Sequence, residues 1–242
     1  MQFQEMTNQI ICAPCEDIFP QIPDNSIDFI LTDPPYNIGD SNKLTKVGNK
    51  FQTNKESWGE WDSMDEKEYL EWINKNVIEY YRILKNSGSL VMFFDKFNIT
   101  YLRDFGKNAG FHPVNFYALV KRNPVPNLRK NGFTSGFELA IIFNKNKKER
   151  KWNFIRQNEM QNYFMCNIGQ KASNHPTEKN LDAMKRLITI FTDENDLVLD
   201  PVCGGGTSCV AAKQLKRNYI GIDISKEYCE MARQRLRQSI LI

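Results

Sequence analysis

The chain has 242 residues, of which 32 are Lys or Arg and 29 are Asp or Glu, giving a formal net charge of +3. This length is enough for one sizeable α/β domain or two small ones, and the charge balance neither requires nor excludes nucleic acid as a partner. The sequence has no apolar run as long as a membrane span, and residues 1–5 lack a basic-then-apolar secretion signal, so we expect a cytoplasmic protein.

The first predicted elements are short. A strand is predicted over residues 8–12, one or two turns of helix over 16–22, and a buried strand over the apolar residues 27–31. Cys12 and Cys15 have C-x-x-C spacing, but the sequence offers no second pair that would complete a tetrahedral metal site. We therefore expect reduced thiols and no metal ion.

Residues 32–36 read Thr-Asp-Pro-Pro-Tyr and follow the buried strand directly. Pro34 and Pro35 stiffen the backbone at the carboxyl end of that strand, which is where open α/β sheets bind ligands. Asp33 and the Pro34 carbonyl are hydrogen-bond acceptors that suit a planar amino group, and the Tyr36 ring can stack on a heterocycle. A strand end that is merely closed by a Pro-Pro turn would show the same residues, so both interpretations stay open at this point.

A polar segment over residues 37–60 has no clear period, and its place directly after the motif favours a mobile lid. A capping box at Ser63–Glu66 then predicts the start of a helix. The elements predicted after it are a strand over 89–94, a helix over 97–107, and strands over 114–120 and 139–143.

Basic residues cluster in the middle of the chain. Six of them are candidates for contacts with nucleic-acid phosphates: Lys121, Arg122, Arg129, Lys130, Lys147 and Lys148. The segment over 144–174 combines basic with aromatic residues, a mixture that suits a sugar-phosphate chain with exposed bases. Solvated surface charge and a small β-structured excursion are the alternatives.

A glycine-rich turn lies between two further predicted strands. Its surroundings in chain order are the strand 197–200, the turn Pro-Val-Cys-Gly-Gly-Gly-Thr over 201–207, the helix 208–215 and the strand 219–223. Glycines let a ligand approach the backbone closely, and Asp223 at the end of the second strand can hold ribose hydroxyls. Cys209 stands where a dinucleotide fingerprint has glycine, so S-adenosylmethionine fits better than NAD, with its methionine part facing Asp200.

The order of the two motifs, D-P-P-Y and then D-P-x-x-G-x-G-T, resembles the circularly permuted, beta-ordered class of DNA amino-methyltransferases. His175–Lys179 resembles the segment that precedes the glycine turn in that family. The resemblance implies an α/β, Rossmann-like methyltransferase fold: a mostly parallel seven-stranded sheet with helices on both faces and one antiparallel strand. It also implies a single catalytic domain over residues 1–242, with a small target-recognition insertion at about 144–174.

For the site, the resemblance implies direct transfer of a methyl group from S-adenosyl-L-methionine to N6 of an adenine that is flipped out of duplex DNA, leaving S-adenosyl-L-homocysteine. The catalytic motif would be Asp33, Pro34, Pro35 and Tyr36. The residues expected to bind the cofactor are Cys15, His175, Thr177, Lys179, Asp200, Val202, Cys203, Gly204, Gly206, Thr207, Ser208, Asp223 and Ile224. The chain departs from the family where Val202 replaces a phenylalanine and where Pro14 replaces an acid that contacts adenine.

The resemblance also suggests a bacterial or phage origin, a homodimer, and a role either beside a cognate restriction endonuclease or as an orphan methylase. The acid at the first position of D-P-P-Y favours adenine, but N4-cytosine DNA methyltransferases and RNA methyltransferases share most of the pattern. An NAD-linked oxidoreductase and a catalytically silent DNA-binding module are the remaining alternatives.

Overall fold

The computed structural model describes residues 2–36, 44–47, 50–53, 65–128, 130–167 and 179–238. The helices are α1 (Phe3–Met6), α2 (Cys15–Ile18), α3 (Glu66–Ile83), α4 (Ile99–Ala109), α5 (Leu181–Phe191), α6 (Thr207–Gln214) and α7 (Lys226–Gln238). The strands are β1 (Gln9–Cys12), β2 (Ile27–Thr32), β3 (Leu44–Val47), β4 (Lys50–Thr53), β5 (Leu84–Phe94), β6 (His112–Lys121), β7 (Phe137–Asn144), β8 (Tyr163–Cys166), β9 (Leu197–Asp200) and β10 (Asn218–Asp223). None of the helices described here is long and apolar enough to cross a membrane.

The main sheet has eight strands in the order β1-β10-β9-β2-β5-β7-β6-β8. Its neighbours pair in parallel except around β7, which is antiparallel to both β5 and β6. The predicted fold class is therefore confirmed, with one strand more than expected. The additional strand is β8, which belongs to the predicted recognition segment and pairs with β6.

Helices cover both faces of this sheet because its buried strands are apolar on both sides. One core packs α1, α2, α3 and α4 against one face, and it includes Ile30 of β2. The other core packs α5, α6 and α7 against the opposite face, and it includes Phe29 and Leu31 of the same strand. This alternation along β2 buries the whole strand that leads into the D-P-P-Y motif.

The parallel strands define two edges of the sheet. We call the edge where β2, β5, β9 and β10 end the carboxyl edge, and the edge where they begin the amino edge. The βαβ unit predicted near the carboxyl terminus is present as β9, α6 and β10, with Leu199 paired to Ile220. Since β9 is also paired with β2, the two motifs of the sequence leave the sheet at the same edge and from adjacent strands.

The predicted lid contains the strands β3 and β4, which form a separate antiparallel pair. The rest of the lid, together with Ser63 of the predicted capping box, lies outside the described residues. The side chain that caps α3 is Asp65, whose carboxylate accepts hydrogen bonds from the backbone amides of Lys67 and Glu68.

The described part of the predicted recognition segment runs along the α5 face of the sheet. It starts at the amino edge, where the Lys151 amide bonds to the Ser87 carbonyl. Arg186 of α5 then holds the segment by donating to the carbonyl of Tyr163, at 2.6 Å, and to those of Glu159 and Gln161. The segment reaches the carboxyl edge with β8, while residues 168–174 lie outside the described part of the chain.

Candidate active site

The two acids that end β2 and β9 emerge side by side at the carboxyl edge. Ile30 of β2 is paired with Leu199 of β9, so Asp33 and Asp200 both follow within three residues of paired positions. They are close enough for the charge of Asp33 to contribute to a raised pKa of Asp200. The structure thus brings together the D-P-P-Y motif and the glycine turn, which the sequence separates by more than 160 positions.

The D-P-P-Y turn is held in one conformation by two phenol groups. The Tyr36 hydroxyl donates to Asp33 Oδ1 at 2.8 Å, within the turn itself. The Tyr69 hydroxyl, from the buried face of α3, donates to the Pro35 carbonyl at 2.7 Å. These bonds, together with the two prolines, fix the direction of the acceptors at the strand end.

Lys179 lies against the catalytic turn rather than on the glycine turn. Its Nζ is 2.7 Å from Asp33 Oδ2 and is also bonded to a carboxylate oxygen of Glu138. The same ammonium lies 4.9 Å from the centre of the Phe93 ring. The contacts of Lys179 in this structure are thus with the D-P-P-Y motif and β7, and its role in binding the cofactor stays a prediction.

Glu138 also belongs to this cluster, although it is not among the residues predicted from the sequence. It belongs to β7 and forms ion pairs with both Lys179 and Lys121, the latter with an Nζ–Oε1 distance of 2.6 Å. The available signal was an acid at the start of an otherwise apolar strand, residues 137–143. Ionisable groups in such positions are candidates for functional sites.

Burial and pairing shift the ionisation of this cluster. Burial raises the pKa of Asp33 and outweighs the opposing effect of the Lys179 cation. Burial would also raise the pKa of Glu138, but Lys179 and Lys121 together lower it to about 2. The pKa of Lys179 lies well above its usual value because Asp33, Tyr36 and Glu138 outweigh burial. The ammonium of Lys179 is therefore a fixed positive charge within the cluster.

The glycine turn after β9 uses its backbone amides for its own folding. The donors and acceptors are Val202 N to Asp200 Oδ1 at 3.3 Å, Cys203 N to Ile222 O at 2.8 Å, Gly204 N to Asp223 Oδ2 at 2.8 Å, and Gly206 N to Cys203 O at 2.8 Å. A pyrophosphate cradle needs such amides to point at the ligand. This turn therefore does not fit a dinucleotide.

The groups around the turn fit S-adenosylmethionine, which carries positive charge on its sulfonium and amino groups. Asp200 is buried and accepts a hydrogen bond from the Ser208 hydroxyl, and burial raises its pKa to about 7. Asp223 is partly buried and accepts bonds from the amides of Gly204 and Ser225. Two carboxylates beside a backbone turn attract a cation and repel phosphate.

Further residues that were predicted to bind the cofactor, and that the structure describes, lie in or near this turn. Thr207 and Ser208 begin α6, and Cys203 is buried within the turn. The Ala13 amide bonds to the Asp223 carbonyl at 3.0 Å, which places the buried Cys15 at the same edge. Ile224 is exposed directly after β10. His175 and Thr177 lie outside the described residues.

Gly204 and Gly206 have φ angles of +48° and +74°, a region that favours glycine. A Cβ on Gly206 would lie 2.7 Å from the Cβ of Ala232 in α7. Gly206 is therefore required for close packing of the turn on α7, in addition to its backbone angle.

The six basic residues predicted to contact DNA do not form one surface. Arg122 and Lys130 are exposed in the connection between β6 and β7, at the carboxyl edge. Lys121 is paired with Glu138, and Arg129 lies outside the described residues. Lys147 and Lys148 are exposed at the opposite, amino edge, because β7 runs antiparallel and ends there.

Comparison with known proteins identifies the class. A family model described as DNA methylase, of the N6/N4 type, matches residues 27–234, and the chain belongs to this family. The protein is thus an S-adenosylmethionine-dependent DNA methyltransferase, in keeping with the fit of its glycine turn.

Individual relatives cover nearly the whole chain. The Type II methyltransferase M2.LlaDCHI of Lactococcus lactis subsp. cremoris is 31% identical over 98% of this chain and 92% of its own. The crystal structure of the M1.HpyAVI–SAM complex has a TM-score of 0.70 at 30% identity, over 94% of this chain and 98% of its own. The cytosine-N4-specific PvuII DNA methyltransferase shares the fold, with a TM-score of 0.74 at 17% identity over 93% and 85% of the two chains.

Proposed function

We propose that this protein transfers a methyl group from S-adenosylmethionine to N6 of an adenine flipped out of duplex DNA. The observation that carries the proposal is the position of Asp33. It lies on a rigid turn after β2, and the adjacent strand β9 leads into the glycine turn. Extrusion of the base is required because its amino group is otherwise inside the stack. The acid at the first position of the motif favours adenine over cytosine.

The residues of the catalytic turn would act by positioning. When bound, S-adenosylmethionine supplies an electrophilic methyl group on a sulfonium. The Asp33 carboxylate and the Pro34 carbonyl accept the two hydrogens of the target amine, which directs its lone pair at that methyl group, and Tyr36 stacks on the base. With S-adenosyl-L-homocysteine as the leaving group, Asp33 would accept the proton that the methylated nitrogen has to lose. Alignment of this kind supplies much of the rate.

Methylation of N4 of cytosine is the second candidate. An exocyclic amine on a flat ring would meet the same acceptors, and the fold is shared with a cytosine-N4-specific enzyme. A role in a restriction–modification system is supported by relatives that are named Type II methyltransferases. A homodimer and a cognate endonuclease belong to the same proposal.

The target base can be identified in the DNA of cells that express the protein. The chain would be expressed in a host whose own DNA methylases are deleted, and nucleosides from its digested DNA would be identified by mass. N6-methyladenine that depends on Asp33 supports the proposal. N4-methylcytosine in its place would overturn the choice of base while leaving the reaction class intact.

Charge removal at the carboxyl edge is expected to weaken DNA binding. Replacing Arg122 and Lys130 with glutamine should lower the salt dependence of the binding constant, by roughly one unit of log–log slope for each phosphate that is no longer neutralised. Binding to duplex DNA would be measured by fluorescence anisotropy over a series of salt concentrations. The matched control is the same change at Lys147 and Lys148, which lie at the amino edge.

The control pair also makes the prediction specific. An equal decrease of slope in both double variants would mean that the effect follows net charge. An unchanged slope at Arg122 and Lys130 would mean that they are ordinary solvated surface residues.

Cofactor binding is expected to weaken as the pH falls through about 7. Burial raises the pKa of Asp200 to about 7, so its carboxylate is ionised above this pH and neutral below it. A cationic cofactor favours the ionised form, and its affinity should therefore decrease on acidification. Calorimetric titration of S-adenosylmethionine at several pH values checks this, with Asp200→Asn expected to bind weakly at every pH and without this dependence.

A further inference from the structure

The cluster at the catalytic turn alternates acids and bases across four elements. Asp33 follows β2, Lys179 precedes α5, Glu138 lies on β7 and Lys121 ends β6. Only 12% of the Lys179 side chain is exposed, so its charge is neutralised by these partners and poorly by water. Lys179 therefore divides one positive charge between two carboxylates, of which one belongs to the catalytic motif.

The division of the Lys179 charge between Asp33 and Glu138 affects both the ionisation of Asp33 and its strength as a hydrogen-bond acceptor. Without Lys179, two half-buried carboxylates would face each other, and one of them would take up a proton. Without the charge of Glu138, Lys179 would be paired with Asp33 alone. Asp33 would then be strongly ionised, but its oxygen would be a weaker acceptor for the hydrogens of a target amine.

We propose that Glu138 is a positioning residue for methyl transfer, which acts through Lys179 by taking up part of its charge, so that Asp33 stays ionised while remaining a good acceptor. The inference rests on the proposed role of Asp33 as the group that binds the target amine. Glu138 itself needs no contact with DNA or cofactor. Lys121 supports it from β6 and keeps it ionised by pairing with its second oxygen, Oε1.

The groups that face Asp33 determine how the rate responds to pH. They are the Tyr36 hydroxyl in its own turn, Lys179 before α5, Glu138 on β7 and Asp200 at the end of β9. The transfer rate should fall where Asp33 becomes protonated, which gives the rate profile an acid limb. Burial and Glu138 move this limb towards higher pH, and Lys179 moves it towards lower pH.

The test is the pH dependence of kcat in four proteins: wild type, Lys179→Met, Glu138→Gln and Lys179→Arg. Lys179→Met should move the acid limb up by about one pH unit or more, because Asp33 loses its cation. Glu138→Gln, which is nearly isosteric, should move the limb down and should also lower the plateau rate. Lys179→Arg keeps the charge and should leave the limb near its wild-type position. The KM for S-adenosylmethionine should change less than kcat in Glu138→Gln.

The proposal is supported if the acid limb moves to higher pH in Lys179→Met and to lower pH in Glu138→Gln. A merely structural role for the two residues would not shift the limb in opposite directions. A limb that stays in place in Glu138→Gln, or that moves up in both variants, overturns it. If Lys179→Met does not fold, as judged by thermal unfolding, the downward shift in Glu138→Gln still decides. Failure of the proposed function is separate: a wild-type product other than N6-methyladenine would change the target base without moving either limb.

Discussion

Replacing Asp33 with alanine is expected to abolish methyl transfer and to leave cofactor binding largely intact. The substitution removes the carboxylate that we propose accepts a hydrogen of the target amine, while the glycine turn on β9 keeps its own hydrogen bonds. Loss of a positioned acceptor of this kind costs at least about a hundredfold in rate. The measurement is the single-turnover rate on duplex DNA, with calorimetric titration of S-adenosylmethionine on the same preparation.

Two variants separate this effect from a general loss of structure. Asp33→Asn keeps the size of the side chain and a neutral acceptor beside Lys179, and it should be nearly as slow as Asp33→Ala. Asp104→Ala removes an exposed acid of α4 that pairs with Arg103, and it should transfer methyl groups at the wild-type rate. Near wild-type activity in Asp33→Ala would show that the amine is held by other groups.

Replacing Gly206 with alanine is expected to destabilise the fold and to weaken cofactor binding together. Gly206 has a φ of +74°, and an added Cβ would lie 2.7 Å from the Cβ of Ala232. Backbone strain and overpacking each cost about 1–3 kcal/mol, so the free energy of unfolding should fall by about 2–6 kcal/mol. Chemical denaturation followed by circular dichroism measures this change.

The matched control for this prediction is Gly136→Ala. A Cβ on Gly136 would meet nothing within 4 Å, and its backbone is not in the positive-φ region. The free energy of unfolding should therefore change by less than about 1 kcal/mol. Equal destabilisation by both substitutions would mean that the packing of the turn on α7 has no special importance.

The two turns of the site could be predicted because their determinants are local in the chain. Two prolines after the buried strand β2 require a stiff turn. Glycines after β9 allow a tight turn. Their meeting at one edge followed from the general rule that ligands bind at the carboxyl ends of parallel strands. The register between β2 and β9 then places Asp33 and Asp200 as this rule requires.

The electrostatic partners of the site could not be predicted in the same way. Glu138 and Lys179 are 41 positions apart, and no local pattern connects a strand residue with one before a helix. The placement of Lys147 and Lys148 depends on the direction of β7, since an antiparallel strand delivers its following residues to the amino edge. Composition alone therefore grouped basic residues that the fold separates.

The position of β8 in the recognition segment could not be predicted from the local sequence either. Its basic and aromatic composition predicted either contact with nucleic acid or a small β-structured excursion. In the structure β8 extends the main sheet beside β6, while Arg186 fastens the chain before it to α5. Pairing with an existing edge strand depends on tertiary contacts, which explains why an eighth strand was not expected.

Methyl transfer by the purified protein is the measurement that decides whether Asp33 directs methylation of adenine in DNA. S-adenosylmethionine labelled in its methyl group would be incubated with unmethylated mixed-sequence duplex DNA, and separately with RNA, before digestion and identification of the labelled nucleoside by mass. We predict label in N6-methyladenine from duplex DNA, absent when Asp33→Ala replaces the wild type. Label in another nucleoside, label in RNA alone, or transfer that survives in Asp33→Ala would show that the assignment is wrong.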